Sequence, residues 1–244
     1  MPKLVRIPCR SGENTARGTG RVVVEQLIEQ GRSCTVLARN VDKARILFGD
    51  AVETIYGDVT LPQSLQAVLT SEFAAIVYTV DITSGVGGRG FLVGRQKVNE
   101  VVYGGVVNTI DAIKAQGSRS QFILLTTLGL DNLSIIMTLL NMIKPGVIQA
   151  SKCKANYLIQ SGLPFTIVQA GALHDGTVSR HPLTVVQEAI PMQMDYQISR
   201  HHLAQILIAS INNPLTIDKA FSVYGGQETQ LSSIGIDYQF QKLK

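Results

Sequence analysis

Tryptophan is absent from this 244-residue chain, cysteine occurs three times, and only 16% of the residues are charged. Cys9, Cys34 and Cys153 stand too far apart to form a metal-ligand or redox pair, which excludes a small domain held by disulfides or zinc. Reduced thiols that simply pack fit a reducing, cytoplasmic compartment, and no metal site is expected. Low charge beside 45% hydrophobic residues excludes a disordered chain. Lys and Arg are scattered, so the net charge of +4 gives no basic block of the kind that tracks a phosphate backbone, and nucleic acid is not an expected partner. Long apolar runs are missing too. The most lipid-like stretch, LSIIMTLLNMI from Leu133 to Ile143, is far short of the roughly 20 residues that span a bilayer. It is expected to be a buried helix, a subunit contact or a surface anchor. The opening MPKLVRIP has neither a secretory nor a transit pattern.

What is present is a regular alternation of strand-length apolar runs with helical patterns, the signature of a parallel sheet with crossover helices. Strands are expected at 3–7, 34–39, 52–58, 74–79, 121–127, 165–170 and 220–225, and helices at 21–30, 41–48, 62–69, 98–117, 151–162 and 200–214. No repeat or linker divides the chain, and its length suits one large domain. About seven strands with helices between nearly all of them describe an α/β doubly wound parallel sheet. Its ligand site lies beyond the carboxyl ends of the strands, near the switch point.

The candidate residues fall at those ends. In PCRSGENTARGTGRVVVEQL, Gly20 opens the first helix where a dinucleotide turn needs glycine, but three-residue steps backwards meet Arg17 and Asn14 instead of glycines. Read forward, Gly12 is the turn glycine of an enlarged loop that carries Arg10 and Arg17 toward phosphate; the other reading is a solvated connection that binds nothing. Arg39 ends strand two, where an acid would hold the ribose of NAD and a cation suits the 2′-phosphate of NADP; NADP(H) is therefore favoured over NAD(H), against a plain surface arginine. Asn40 and Lys43 add polar reach. Asp58 follows strand three, where it can accept from an adenine amino group while Val59 packs on the ring, or simply form a turn. Thr79 and Val80 end strand four as a floor under a ribose.

The phrases GRVVVEQLIEQG, TVLARN, IYGDVT, AAIVYT, VVNTIDAIKAQG, FILLTTLGLDN and above all NYLIQSGLPFTIVQAGAL resemble the atypical short-chain dehydrogenase/reductases, in particular the NmrA-like NAD(P)-binding group. The resemblance runs from Gly20 to about Gly225. It implies a Rossmann fold with strand order 3-2-1-4-5-6-7 and a small C-terminal substrate lobe, here roughly 171–197 and 226–244. It also implies a Tyr and a Lys four residues later, the first a proton donor, the second a ribose holder. Alignment on SGLPFTIV puts Val147 and Ser151 in those registers, and the one Tyr with a Lys four later, Tyr238 with Lys242, lies outside the active-site helix. Lys152 is one position off, about 100° round the helix, and could reach a ribose if the helix entry is shifted. Ala155 replaces a frequent Glu, Gln169 and Ala170 a frequent Arg-Pro, and His202 a frequent Asp; Thr126 and Thr127 keep hydroxyls at the end of strand five. The catalytic residues stay unknown.

Two functions are open. One is an NADP(H)-dependent oxidoreductase on a small carbonyl, quinone or flavin-like acceptor, its chemistry carried by the cofactor. The other is a non-catalytic cofactor-sensing regulator or assembly factor with a protein partner, suggested by the missing Tyr and Lys and by the apolar stretch 133–143. His201 and His202 read as polar residues at a helix start, and His174 with Asp175 as a remote candidate for a proton-shuttling pair. A homo-oligomer is open as well.

Overall fold

The computed structural model describes residues 5–9, 18–66, 68–69, 73–82, 94–132, 134–228 and 231–244. Its strands are β1 (Val5–Cys9), β2 (Cys34–Ala38), β3 (Glu53–Tyr56), β4 (Ala75–Tyr78), β5 (Gln121–Thr127), β6 (Phe165–Ala170), β7 (Ala172–His174), β8 (Thr184–Val186), β9 (Gln197–Ser199) and β10 (Lys219–Tyr224). Its helices are α1 (Thr19–Glu29), α2 (Val41–Phe48), α3 (Pro62–Gln66), α4 (Arg95–Val98), α5 (Gly105–Ala115), α6 (Ile135–Ile143), α7 (Val147–Gln160), α8 (Arg200–Ala209) and α9 (Ser233–Phe240).

The main sheet runs β3-β2-β1-β4-β5-β6-β10-β8. Every pairing in it is parallel except that of β8 with β10. With β10 as the seventh parallel strand, this is the expected doubly wound order. The chain builds outward from β1 on one side and from β4 on the other, so the switch point lies between those two strands. A separate parallel pair, β7 with β9, sits beyond β6.

Strand side chains alternate between two cores, as they must when both faces of a parallel sheet are covered. Val36, Ala38, Ala75, Val77, Ile123, Val168, Phe221 and Val223 face α1, α2, α8 and α9. Leu37, Ile76, Tyr78, Phe122, Leu124 and Ile167 face α3, α5 and α7. The tail from Leu231 to Leu243 adds Ile236 and Phe240 to the first core. The helix expected over 98–117 is interrupted by a π-helical stretch, Asn99–Gly104, between α4 and α5.

Of the three expectations for 133–143, the fully buried helix is not what forms: in α6 Met137 is buried but Ile135, Leu139 and Met142 are 89%, 54% and 67% exposed, which leaves the subunit contact and the surface anchor open. Ser134, Thr138 and Asn141 are the polar residues of this stretch, and the helix lies on the surface with apolar side chains left uncovered. His202 reverses its expectation the other way. It does begin α8, its backbone N–H capped by Ser199 Oγ at 3.0 Å, yet it is fully buried and packs over Gly226.

Candidate functional site

At the carboxyl ends of β2 and β3, Arg39 and Asp58 meet. Arg39 Nη1 is 4.0 Å from Asp58 Oδ2, with the guanidinium side chain 37% exposed and the carboxylate side chain 16% exposed. Asp58 Oδ1 accepts from Thr60 N at 2.9 Å and Thr60 Oγ1 at 2.8 Å, an Asx turn that fixes the carboxylate and leaves its second oxygen toward Arg39. Gly57 lets the chain pass close to β2: a Cβ at that position would lie 2.3 Å from Leu37 Cδ1. Asn40 caps α2, its Oδ1 accepting from Lys43 N at 2.8 Å, so its side chain is spent on the helix.

Gly20 is buried in the first turn of α1. The cap residue, Gly18, has extended backbone and no side chain to offer, and the first turn holds no acid. A helix start of this kind faces anions with its amide groups and its dipole. Gly12 and Arg17 lie outside the described residues. Val59 is 7% exposed and packs in the core beside Tyr78 and Gly105, while its carbonyl accepts from Asn108 Nδ2 at 2.9 Å. Thr79 is half-buried just past β4.

The other half of the site is built from β5 and α7. The inner stripe of α7 is Val147, Ala150, Ser151, Lys154 and Leu158. Lys154 is 3% exposed, and its Nζ donates to the Leu125 carbonyl at 3.4 Å. Burial lowers its pKa, Asp81 raises it and Lys144 lowers it. Lys144 Nζ donates to the Ile82 carbonyl at 2.6 Å. Two buried oxygens nearby on this face of the sheet, Thr126 Oγ1 and the Tyr78 phenol, have no hydrogen-bond partner among the described residues. Burial, then Asp81 and Asp58, drive the Tyr78 phenol far above its ordinary pKa, so it stays protonated.

Lys152 points elsewhere: its Nζ pairs with Asp131 at 3.1 Å on the exposed side of α7. The lysine that faces inward is Lys154, which sequence reasoning missed. The signal was available, since Val147, Ala150, Ser151 and Leu158 set an apolar helical stripe on which position 154 falls. His174 and Asp175 do not face each other as a pair: His174 Nε2 meets Ser179 Oγ at 3.0 Å, and Asp175 takes Arg200 at 2.7 Å.

The residues present fit a dinucleotide: a cation past the end of β2, a helix start near β1, and a hydroxyl without a partner among the described residues, Thr126 Oγ1, at the end of β5. A family model described as NAD(P)H-binding matches residues 16–214. The chain belongs to the NAD(P)H-binding family. It is 24% identical over 217 residues to a photosystem II assembly factor, Ycf39, of Guillardia theta, covering 86% of this chain and 63% of the relative. The chain thus spans less than two thirds of that relative's length. An uncharacterized chloroplastic protein of Arabidopsis thaliana is 25% identical over 205 residues, covering 79% of this chain and 68% of that one.

Among solved structures, the oxidoreductase ylbE of Lactococcus lactis superposes with a TM-score of 0.72 at 18% identity, over 98% of this chain and 96% of that one. ChuY, an anaerobilin reductase of Escherichia coli O157:H7, gives 0.68 at 18% identity over 91% and 97%. A short-chain dehydrogenase/reductase of Veillonella parvula in complex with NADP gives 0.68 at 14% identity over 95% and 100%. At these identities the likeness is one of fold, and it agrees with the resemblance to the atypical, NmrA-like reductases. Among the described residues no helix is long and apolar enough to cross a membrane, and no cluster of His, Cys, Asp or Glu could hold a metal ion.

Proposed function

We propose that this protein is an NADP(H)-dependent oxidoreductase that passes hydride between the nicotinamide ring and a small carbonyl, quinone or flavin-like acceptor. The observation that carries this reading is Arg39, half-exposed at the end of β2 and steadied by Asp58, where an acid would favour the unphosphorylated ribose. In this reading Gly20 and the first turn of α1 receive the diphosphate, with Gly12 and Arg17 in the loop before it, and Thr79 lines the floor. Asp58 orients Arg39, and Val59 supports that floor from the core. Lys152 is left with Asp131, so the inner face of α7 offers Ser151 and Lys154 to the ligand. Hydride transfer itself belongs to the coenzyme; the chain's part is to place it and exclude water.

Melting in the presence of NADPH, NADH or neither tests the coenzyme. At a hundredfold excess over Kd a ligand that binds only the folded state adds about 2.7 kcal/mol. NADPH is expected to stabilise and NADH to do so weakly; no shift with either removes the reading. NADPH oxidation with a panel of quinones, flavins and small carbonyls tests the reaction.

A second reading has its own observation. Ile135, Leu139 and Met142 leave α6 with an exposed apolar face, and an apolar patch on a surface marks a contact. Together with the name of the Guillardia relative, this favours a cofactor-sensing assembly factor. Loss of a copurifying protein on Leu139→Glu and Met142→Glu, with NADPH binding intact, would support it. Robust reductase turnover by an isolated chain would count against it.

A further inference from the structure

On the β4 and β5 side of the switch point, the described residues that act on Lys154 electrostatically are one carboxylate, Asp81, and one further lysine, Lys144. Asp81 and Lys144 act on it in opposite directions. The ends of α7 set where the Lys154 ammonium sits. Residues 161–164 join the C-terminal end of α7 to the start of β6, so α7 runs down from the ligand edge of the sheet to its opposite edge. Helical side chains lean toward the N-terminus of their helix, which carries Lys154 up toward the carboxyl end of β5. Its contact there is the Leu125 carbonyl at 3.4 Å, a long bond for one of three ammonium donors. On the α7 face of β5, Thr126 Oγ1 is buried without a partner among the described residues. Unspent donors and an orphaned hydroxyl at the ligand edge point to acceptor atoms of a ligand.

Arg39 and Asp58 stand on the other side of the switch point, past the carboxyl ends of β2 and β3. In the coenzyme reading given above that side would meet the adenosine half, which is identical in both redox states of the coenzyme and cannot tell them apart. The β4 and β5 end meets the nicotinamide half, which is a cation when oxidised and neutral when reduced. We propose that Lys154 stands beneath the nicotinamide half of the bound coenzyme and makes this protein select NADPH over NADP+. While Lys154 holds its proton, its ammonium in this weakly screened site repels the oxidised pyridinium ring and leaves the dihydropyridine ring untouched; burial lowers the Lys154 pKa, so the discrimination is read on the low-pH side of its titration. Asp81 offsets part of this field and Lys144 adds to it.

The inference rests on the coenzyme reading given above, and 2′,5′-ADP separates the two because it carries only the adenosine half. The experiment is titration of wild-type protein and Lys154→Met with NADPH, NADP+ and 2′,5′-ADP, followed by calorimetry or fluorescence. Wild-type protein is expected to bind NADPH about tenfold more tightly than NADP+, or about 1.4 kcal/mol. Lys154→Met should bring that ratio close to one and leave 2′,5′-ADP binding unchanged. A merely structural lysine would weaken all three ligands together or none. A ratio near one in the wild type overturns the inference without any variant, and so does an unchanged ratio in folded Lys154→Met. Wild-type protein that binds none of the three ligands overturns the coenzyme reading itself.

Discussion

Lys152 and Lys154, two positions apart on α7, face opposite environments: Lys152 pairs with Asp131 at 3.1 Å in reach of solvent, whereas Lys154 is 3% exposed against the Leu125 carbonyl. A rotation of about 200° between them follows from helix geometry. The consequence is a clean pair of variants. Lys152→Met removes a surface ion pair and should change stability by less than about 1 kcal/mol. Lys154→Met replaces a buried ammonium with an apolar chain of similar length, and the protein without ligand should be unchanged to about 2 kcal/mol more stable. The sign of the pH dependence is fixed as well. Burial depresses the folded-state pKa of Lys154, so over the range between its folded and unfolded values the unfolded state holds more protons and stability rises with pH. Wild-type protein should therefore gain on Lys154→Met in urea melts as the pH is raised toward the ordinary lysine value.

Arg39→Asp tests the coenzyme phosphate. The new carboxylate would face Asp58 and repel a 2′-phosphate, while an acid at the end of β2 can accept from ribose hydroxyls. NADPH affinity should fall roughly 10- to 100-fold, about 1.4 to 2.7 kcal/mol, and NADH affinity should hold or rise. Direct titration with both coenzymes reads the switch. Equal losses for the two would show that Arg39 does not see the phosphate.

Gly57→Ala should destabilise the fold. The added methyl would sit 2.3 Å from Leu37 Cδ1 and within 2.9 Å of Leu37 Cδ2, in a side chain that is itself 1% exposed and packed on the α3 side of the sheet. Leu37 must move or β3 must shift away from β2, at a cost of about 1–3 kcal/mol. Because Gly57 N donates to the Ala38 carbonyl at 3.1 Å, the same shift would loosen the Asp58 turn. Coenzyme affinity and melting temperature should drop together, and restoration of both by Leu37→Ala in the same chain would confirm the contact.

How far the molecule is legible from its sequence depends on where its information is stored. β5 and β6 run over the residues expected, 121–127 and 165–170, because each is an apolar run bounded by turn signals and covered on both faces. α2 likewise begins after the capping Asn40 and ends before Gly49. The three-residue strands β7, β8 and β9 carry too few positions for any period to show, and their pairing is decided by contacts made far along the chain. Among the candidate residues, the juxtaposition of Arg39 and Asp58 is legible because each closely follows the end of a strand. Lys154 is not, because a lysine reads as solvent-facing unless the stripe of its helix is traced first. The exposed face of α6 is hidden for a different reason: apart from Ser134, Thr138 and Asn141 the stretch LSIIMTLLNMI is apolar, so more of its surface is apolar than the core covers.

Cys34 gives a prediction that is independent of any ligand. It is 5% exposed at the start of β2, in the core shared with α1, α2 and α8, and burial pushes its thiol from 9.0 up to about 11. A thiolate is not accommodated there, so below pH 9 both folded and unfolded chains keep the thiol protonated and no penalty arises. Between pH 9 and 11 the unfolded chain ionises while the folded one does not, the unfolded state binds fewer protons, and stability falls. A shift of about two units corresponds to about 2.7 kcal/mol lost at the top of that window. Cys34→Val has nothing to ionise and a similar volume, so its urea-melt stability should overtake that of the wild type as pH rises from 9 to 11. At pH 8, a disulfide reagent should modify Cys153, which is partly exposed on α7, in the native protein, and reach Cys34 at the rate of opening of the sheet. Parallel pH curves for wild type and Cys34→Val would show that the thiol ionises inside the fold, and that the core around β2 admits water.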